Sequence, residues 1–313
     1  MTEPVTVFRV GERDRGKRLD RFLGERIPGL SRTRIQRAIR ERVSLSWMSR
    51  AMPSAPVRPG GVVRIATVVQ HETPLELVIP VLARGAGWLA VDKPPGVPVH
   101  PVNRVRENTI IRMLRRQERD DALRLVHRLD RETSGVLLVA RDTETARRLS
   151  MAFARGDVGK RYMAVVSGRP EADRGTIDLP IGAAVGGRVW VRQAVGHGRP
   201  ATTDWWVELR LPDRALLGVS PRTGRRHQIR VHLAAIGHPV AGDILYGRPD
   251  RDYLELVSGS GDARKRDGGP ERQLLHCSRL EFPDRDGRTA VTAPLPGDFG
   301  MAQWLDPTGP AEP

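Results

Sequence analysis

Lysine and cysteine are nearly missing from this chain. Of 52 basic residues, only Lys17, Lys93, Lys160 and Lys265 are lysines, and Cys277 is the single cysteine in 313 residues. One thiol can neither close an intrachain disulfide nor assemble a cysteine zinc site, which suits a reducing compartment. No apolar run approaches the roughly 20 residues that cross a bilayer. The N-terminal Met1-Thr2-Glu3-Pro4 lacks the charged-then-apolar pattern of a secretion signal. A fixed-period repeat is lacking too, which argues against solenoids and propellers. There is no glycine-rich phosphate loop, and no helix-turn-helix, zinc-finger or basic-zipper pattern. Together these absences predict a soluble cytoplasmic protein with no membrane partner and no cofactor motif, and nothing in them demands an oligomer.

Positive charge is what the sequence has in excess. The formal net charge is +15, while hydrophobic residues make up 39% and charged residues 28%, as in an ordinary globular enzyme. So basic a chain concentrates around polyanions, and nucleic acid is the commonest of these. A GC-rich gene would explain arginine displacing lysine but not the surplus of charge. Arginine also presents a planar donor fork that fits phosphate and stacks on bases.

The length suits a large core with a small appended unit. Leu19, Phe22, Leu23 and Ile27 are spaced as one helix face, Pro28-Gly29 is a stop, and Ser31 is a cap for a second helix. That helix carries Arg32, Arg34, Arg37, Arg40 and Arg42 around Ile35, Ala38 and Ile39. A turn at Arg58-Pro59-Gly60-Gly61 and a strand over Val62 to Ile65 complete a unit whose arginine face suits phosphate, or simply solvent. Residues 67–85 read as a connector. Strand signals then dominate at Trp88 to Val91, Val136 to Val139, Tyr162 to Val166, Thr203 to Leu209 and Leu216 to Val219. Helices are expected from Asp142 through Phe153 and over about Arg225 to Ile236, and a polar surface loop over Gly259 to Gly269. Strands outnumbering helices without regular alternation predict an α+β fold around a mixed, mostly antiparallel sheet.

The chemistry concentrates in Leu125-Val126-His127-Arg128-Leu129-Asp130-Arg131-Glu132-Thr133-Ser134-Gly135, a polar loop running into the apolar Val136 to Ala140. Arginines flank one carboxylate, and neighbouring positive charge keeps a carboxylate ionised and nucleophilic. By spacing alone, a loop aspartate paired with arginine for structure fits as well. His227 and His232 have no acidic or thiol partners at ligand spacing nearby, so no metal is expected.

His127 to Gly135 matches every fixed position of the HRLDxxTSG signature and resembles the RluA-type RNA pseudouridine synthases. Four further segments resemble that family in its order. They are Asp92 to Pro101, Lys160 to Gly168, Thr223 to His232 (followed by Gly237-His238-Pro239 and Gly242-Asp243) and Leu275 to Leu280. The resemblance spans about residues 86 to 300 and implies an enzyme, an isomerase converting uridine to pseudouridine in structured RNA, with large-subunit ribosomal RNA the expected substrate. It implies Asp130 as the catalytic carboxylate, Tyr162 as the aromatic stacked on the target uracil, and Arg230 as the basic partner of Asp130. Arg128 would fill the space left by the extruded base, and His127 beside it would also meet RNA. Arg226, four residues before Arg230, would share its helix face. Arg18 to Leu23 and Leu30 to Gln36 resemble the alpha-L RNA-binding module, which assigns Arg32, Arg34 and Arg37 to RNA. Val43 to Met48 departs from that module's usual hairpin because its turn has no glycine. Ala83 to Gly87 likewise replaces a commonly acidic lead-in. The chain then divides into an alpha-L type module over 1–66, a linker over 67–85 and a pseudouridine synthase domain over 86–313, acting as a monomer without cofactor. Two rival readings are an RNA-folding or ribosome-assembly factor without turnover and a generic DNA-binding protein.

Overall fold

A computed structural model of the chain describes residues 5–27, 30–66, 72–102, 105–266, 268–285 and 287–300. The chain forms two compact units, Met1–His71 and Glu72–Pro313.

In the first unit, β1 (Val5–Arg9), β2 (Val43–Leu45) and β3 (Val62–Ala66) form an antiparallel sheet in the order β1-β3-β2, with α1 (Leu19–Gly24) and α2 (Arg32–Arg42) beside it. Leu19, Phe22 and Leu23 of α1 bury against Ile35 and Ile39 of α2 and Val63 of β3, the i, i+3, i+4 spacing the sequence carries. Ser31 caps α2 by accepting from Arg34 N. Asp20 is buried between the two helices, where it accepts from Arg18 Nε and Nη2 (3.1 and 2.9 Å) and from Gln36 Nε2 (2.9 Å). The expected stop at Pro28-Gly29 lies outside the described residues.

The second unit begins with β4 (Val81–Gly85), β5 (Trp88–Lys93), α3 (Ile110–Glu118), β6 (Arg124–Leu125), β7 (Ser134–Ala140), α4 (Thr143–Arg155), β8 (Gly159–Ser167) and β9 (Arg174–Asp178). It continues with β10 (Ile181–Ala183), β11 (Gln193–Val195), β12 (Thr202–Arg210), β13 (Arg214–Pro221) and α5 (Gln228–Ala235). It closes with α6 (Asp250–Ser258), α7 (Ala263–Arg266), β14 (Leu275–Asp284) and β15 (Gly287–Thr292). Ten strands form one sheet with the path β4-β5-β7-β14-β8-β13-β12-β9, to which β6 adds at β7 and β15 at β14. Every described pairing is antiparallel except β7 with β14, at its centre. The architecture is therefore α+β with a mixed, mostly antiparallel sheet.

Period-two alternation sorts side chains between two cores. Ala164 and Val166 of β8 join Ala215, Leu217 and Val219 of β13 in one, while Met163 and Val165 join Leu216 in the other. β7 is buried at every residue, packed with α3 through Ile110, Met113 and Leu114 and with α4 through Leu149 and Ala152. Asp142 caps α4 by accepting from Thr145 N at 2.7 Å, and Gly156 ends it in the left-handed region.

Three local expectations change. The end of the supposed connector is strand β4, because Val81 to Gly85 pairs with β5. The helix expected from Arg225 begins only at Gln228, since His227 takes a left-handed φ of 57° that the α-helix cannot contain. Arg226 therefore sits in the preceding loop and shares no helix face with Arg230. The polar stretch after Gly259 contains the single turn of α7.

Candidate active site

The loop between β6 and β7 presents Asp130, and α5 presents Arg230. Arg230 Nη1 donates to Asp130 Oδ2 at 2.7 Å. Another edge of the guanidinium is held by Asp243: Nε and Nη2 donate to its two oxygens at 2.7 and 2.9 Å. The wholly buried Asp243 is oriented by the backbone N–H groups of Leu245 (2.9 Å) and Tyr246 (3.2 Å). A bidentate carboxylate thus fixes the arginine and leaves one edge to hold Asp130. The Tyr246 ring centroid lies 5.2 Å from the guanidinium carbon. The Tyr246 hydroxyl accepts from Gln193 N at 2.9 Å and sits 2.8 Å from His227 Nδ1.

Burial alone would raise the Asp130 carboxyl's pKa, but the Arg230 guanidinium, helped by Arg128, outweighs it and holds the group below the ordinary carboxylate range. Burial also opposes the charge on Arg230, and its two carboxylates more than restore it. His227 is pulled down to about 4 by burial, so it faces Asp130 as a neutral ring. Tyr162 is pushed well above its usual value, first by burial and then by Cys277 and Asp130, and stays a phenol.

The loop after Asp130 is anchored carbonyl by carbonyl. Lys93, fully buried at the end of β5, donates to the carbonyls of Pro94 (2.7 Å), Arg131 (2.9 Å) and Thr133 (2.9 Å). Burial pulls Lys93 down to about 7, yet three acceptors for three donors is the arrangement of an ammonium. Arg272 Nη1 takes the carbonyl of Glu132 at 3.1 Å, and Gln273 Nε2 takes Thr133 Oγ1 at 2.7 Å. Ser134 Oγ lies 3.0 Å from His276 Nδ1. Gly135, with φ of 104°, passes so close to β14 that a Cβ there would collide with the Cys277 carbonyl.

A cleft of about 490 Å³ opens on this cluster, lined by Asp130, Tyr162, Arg128, Lys160, Phe153, Leu275 and the loop from Thr223 to His227. Gln228 shapes that loop with all four of its polar positions used. Its Oε1 accepts from Thr223 Oγ1 (2.7 Å) and Arg225 N (2.9 Å), and its Nε2 donates to Thr202 O and Thr203 Oγ1, both at 2.9 Å. Among the described residues no group of three or more His, Cys, Asp or Glu could hold a metal ion.

The structure thus brings Asp130, Tyr162 and Arg230 to one cleft. Arg128 is exposed on the same cleft, and no hydrogen bond or ion pair engages it among the described residues. His127 is committed to the fold: its Nε2 accepts from Leu138 N at 2.9 Å and its ring stacks on Phe153 at 4.4 Å, with burial lowering its pKa to about 3. In the first unit all three arginines are exposed: Arg32 lies 3.5 Å from Asp20 and Arg37 donates to Glu41 at 2.8 Å, whereas no hydrogen bond or ion pair engages the Arg34 side chain among the described residues. The sequence alone assigns no role to Asp243, Lys93, Arg272 or Tyr246. Asp243 was visible only as half of the Gly242-Asp243 pair, thirteen residues past Arg230.

The family model described as RNA pseudouridylate synthase matches residues 87–235. An uncharacterized RNA pseudouridine synthase of Chloroflexus aurantiacus is 37% identical over 90% of this chain and 88% of its own length. A ribosomal large subunit pseudouridine synthase C of Haemophilus ducreyi is 33% identical over 93% of this chain and 92% of its own. The solved structure of human RNA pseudouridylate synthase domain containing 1 covers 75% of this chain and 97% of its own length, with a TM-score of 0.57 at 26% identity. On these similarities, the chain belongs to the RNA pseudouridylate synthase family, whose members are isomerases.

Proposed function

We propose that the chain converts uridine to pseudouridine in large-subunit ribosomal RNA, with Asp130 as the catalytic carboxylate acting on an extruded nucleotide. The observation that carries the reading is an ionised Asp130 oxygen, held at 2.7 Å by an arginine that Asp243 fixes through Nε and Nη2, beside a cleft that Tyr162 also lines. The cleft volume of about 490 Å³ falls within the range of small-ligand sites. Isomerisation breaks the bond from ribose C1′ to uracil N1 and forms one from C1′ to C5. N1 gains a proton and C5 loses one, so no redox partner or group donor enters. Asp130 acts either by attacking C1′ or by removing a sugar proton, and both routes need a carboxylate ionised away from bulk water.

A stacked uridine does not expose its glycosidic bond, so it must leave the stack at a cost of a few kcal/mol. Tyr162 offsets part of that by stacking, typically about 1–3 kcal/mol per base. The unengaged Arg128 suits the vacancy, where its plane can stack and meet phosphate. Arg32, Arg34 and Arg37 on α2 add phosphate contacts, with Arg34 the least compensated. The substrate class follows the relative from Haemophilus ducreyi, named for the large ribosomal subunit and similar across both chains. The same reading makes the protein a cytoplasmic monomer.

The test is a pseudouridine map of total RNA with and without the gene, then with Asp130→Asn supplied in its place. The expected result is loss of one or more large-subunit pseudouridines that Asp130→Asn does not restore, although the variant still binds the RNA. An unchanged map, or restoration by Asp130→Asn, refutes the reading.

A further inference from the structure

We infer that Lys160 is a phosphate-binding residue of the cleft, gripping the RNA backbone beside the nucleotide on which Asp130 acts. The inference rests on reading the cleft as the uridine site. Lys160 and Tyr162 are two apart on β8 and both line the cleft. Arg161 between them is satisfied elsewhere: Nη2 donates to Glu208 Oε1 at 2.6 Å, and the guanidinium lies 5.0 Å from the Trp206 ring.

The withdrawn cations around Asp130 differ in how the protein compensates them. Arg230 has two carboxylates. Lys93 has three carbonyls. Lys160 is half-buried and has one carbonyl, that of Thr223 at 3.2 Å, with no carboxylate in ion-pair range among the described residues. An ammonium carries three N–H donors, so two are left without a protein acceptor. Withdrawing a cation from bulk water with no anion beside it costs free energy that an entering anion returns. RNA brings one phosphate per nucleotide, and a compact ammonium suits phosphate as a point charge. A base carbonyl could take a hydrogen bond from Lys160 but would leave its charge uncompensated. The Thr223 bond also ties β8 to the loop leading to Arg230, so the test must separate charge from tie.

Full-length wild type, Lys160→Gln and Lys160→Arg are compared on an unmodified large-subunit ribosomal RNA transcript. Affinity is measured across a salt series, and pseudouridine formation as a function of RNA concentration. Glutamine keeps a donor for the Thr223 carbonyl and removes the charge; arginine keeps the charge. Lys160→Gln should lower the slope of log affinity against log salt by about 0.7–0.9 and weaken binding about fivefold near 0.1 M salt, the loss of one phosphate contact. The loss should fall on KM more than on kcat, and Lys160→Arg should keep the wild-type slope. A second readout leaves the protein unaltered: a synthetic RNA with a neutral methylphosphonate on one side or the other of the converted uridine should lose a similar factor at one linkage. Wild-type slope and affinity for Lys160→Gln, equal losses for Gln and Arg, or no loss at either linkage overturns the inference. Wild type that binds the transcript but converts nothing refutes the uridine site instead, and the salt slopes still decide whether Lys160 meets phosphate.

Discussion

Asp243→Asn tests whether the site is organised from behind the Asp130–Arg230 pair, the proposed catalytic centre. The substitution preserves shape but turns one of two acceptors toward Arg230 into a donor, removing the bidentate bond made at 2.7 and 2.9 Å. The pair is buried, with side-chain exposures of 9% and 0%. Breaking such a pair costs about 3–5 kcal/mol. Asp130 remains beside Arg230 as a counter-charge, so the lower end, about 3 kcal/mol, applies. With a urea m-value of about 3 kcal/mol/M, the unfolding midpoint falls by about 1 M. Catalysis suffers separately. An arginine freed from Asp243 holds Asp130 less well, and at about 1.4 kcal/mol per tenfold a comparable loss is about 100-fold in rate. The sign of the pH effect follows from the charge. Asp130 is held below its ordinary pKa mainly by Arg230 against burial, so loosening Arg230 raises it and moves the acidic limb of the rate profile toward neutral pH. Urea unfolding and single-turnover conversion across pH read both effects. A variant with the wild-type midpoint and an unmoved acidic limb refutes the reasoning.

Lys93→Met removes the donor from the carbonyls of Pro94, Arg131 and Thr133, at about 1–3 kcal/mol for the buried Thr133 carbonyl alone. It should lower the urea midpoint and abolish conversion together, and retained activity would show that the loop does not depend on that anchor. Buried His127 and His276, lowered to about 3 and 4 chiefly by burial, bind protons only on unfolding, so the unfolded state takes up more protons between about pH 6.5 and 4. Stability should fall with pH through that window by up to about 1.4 kcal/mol per unit for each ring, and a flat urea midpoint across it refutes this. Replacing Arg32, Arg34 and Arg37 together by glutamine should lower the RNA-binding salt slope by about two, because Arg32 and Arg37 are already partly compensated by Asp20 and Glu41. An unchanged slope would remove α2 from the RNA surface.

Strands β5, β7, β8, β12 and β13 were legible because apolar runs and period-two alternation survive whatever packs on them. Strand β4 was not, since Val81 to Gly85 becomes a strand only through β5. Helix α3 carries a helical period at Ile110, Ile111, Met113 and Leu114, all buried, but strand-dominated surroundings mask it. In the site, Asp130, Tyr162 and Arg230 stood out through motif resemblance, because local charge and aromatic spacing alone equally fit structural roles. The supports around them were silent for a physical reason. Nothing local to Lys93 or Arg272 says that each will meet carbonyls of the Arg131 to Thr133 segment, 38 to 140 residues away in sequence. His127 shows the converse, a motif residue whose ring serves packing.

The position of β14 bears on how the enzyme comes into being. This late strand lies between β7 and β8, while β4, β5 and β7 on one side and β8, β13, β12 and β9 on the other are all synthesised before it. Until it emerges from the ribosome, β8 and the Ser134–Gly135 end of β7 each present an open edge, while β6 covers β7 at Val139 and Ala140. The residues leading into it, Arg272 and Gln273, also complete the grip on the Asp130 loop. Maturation is therefore a late, long-range event, and a nascent chain halted before about residue 270 would carry Asp130, Tyr162 and Arg230 yet lack part of the grip on the Asp130 loop.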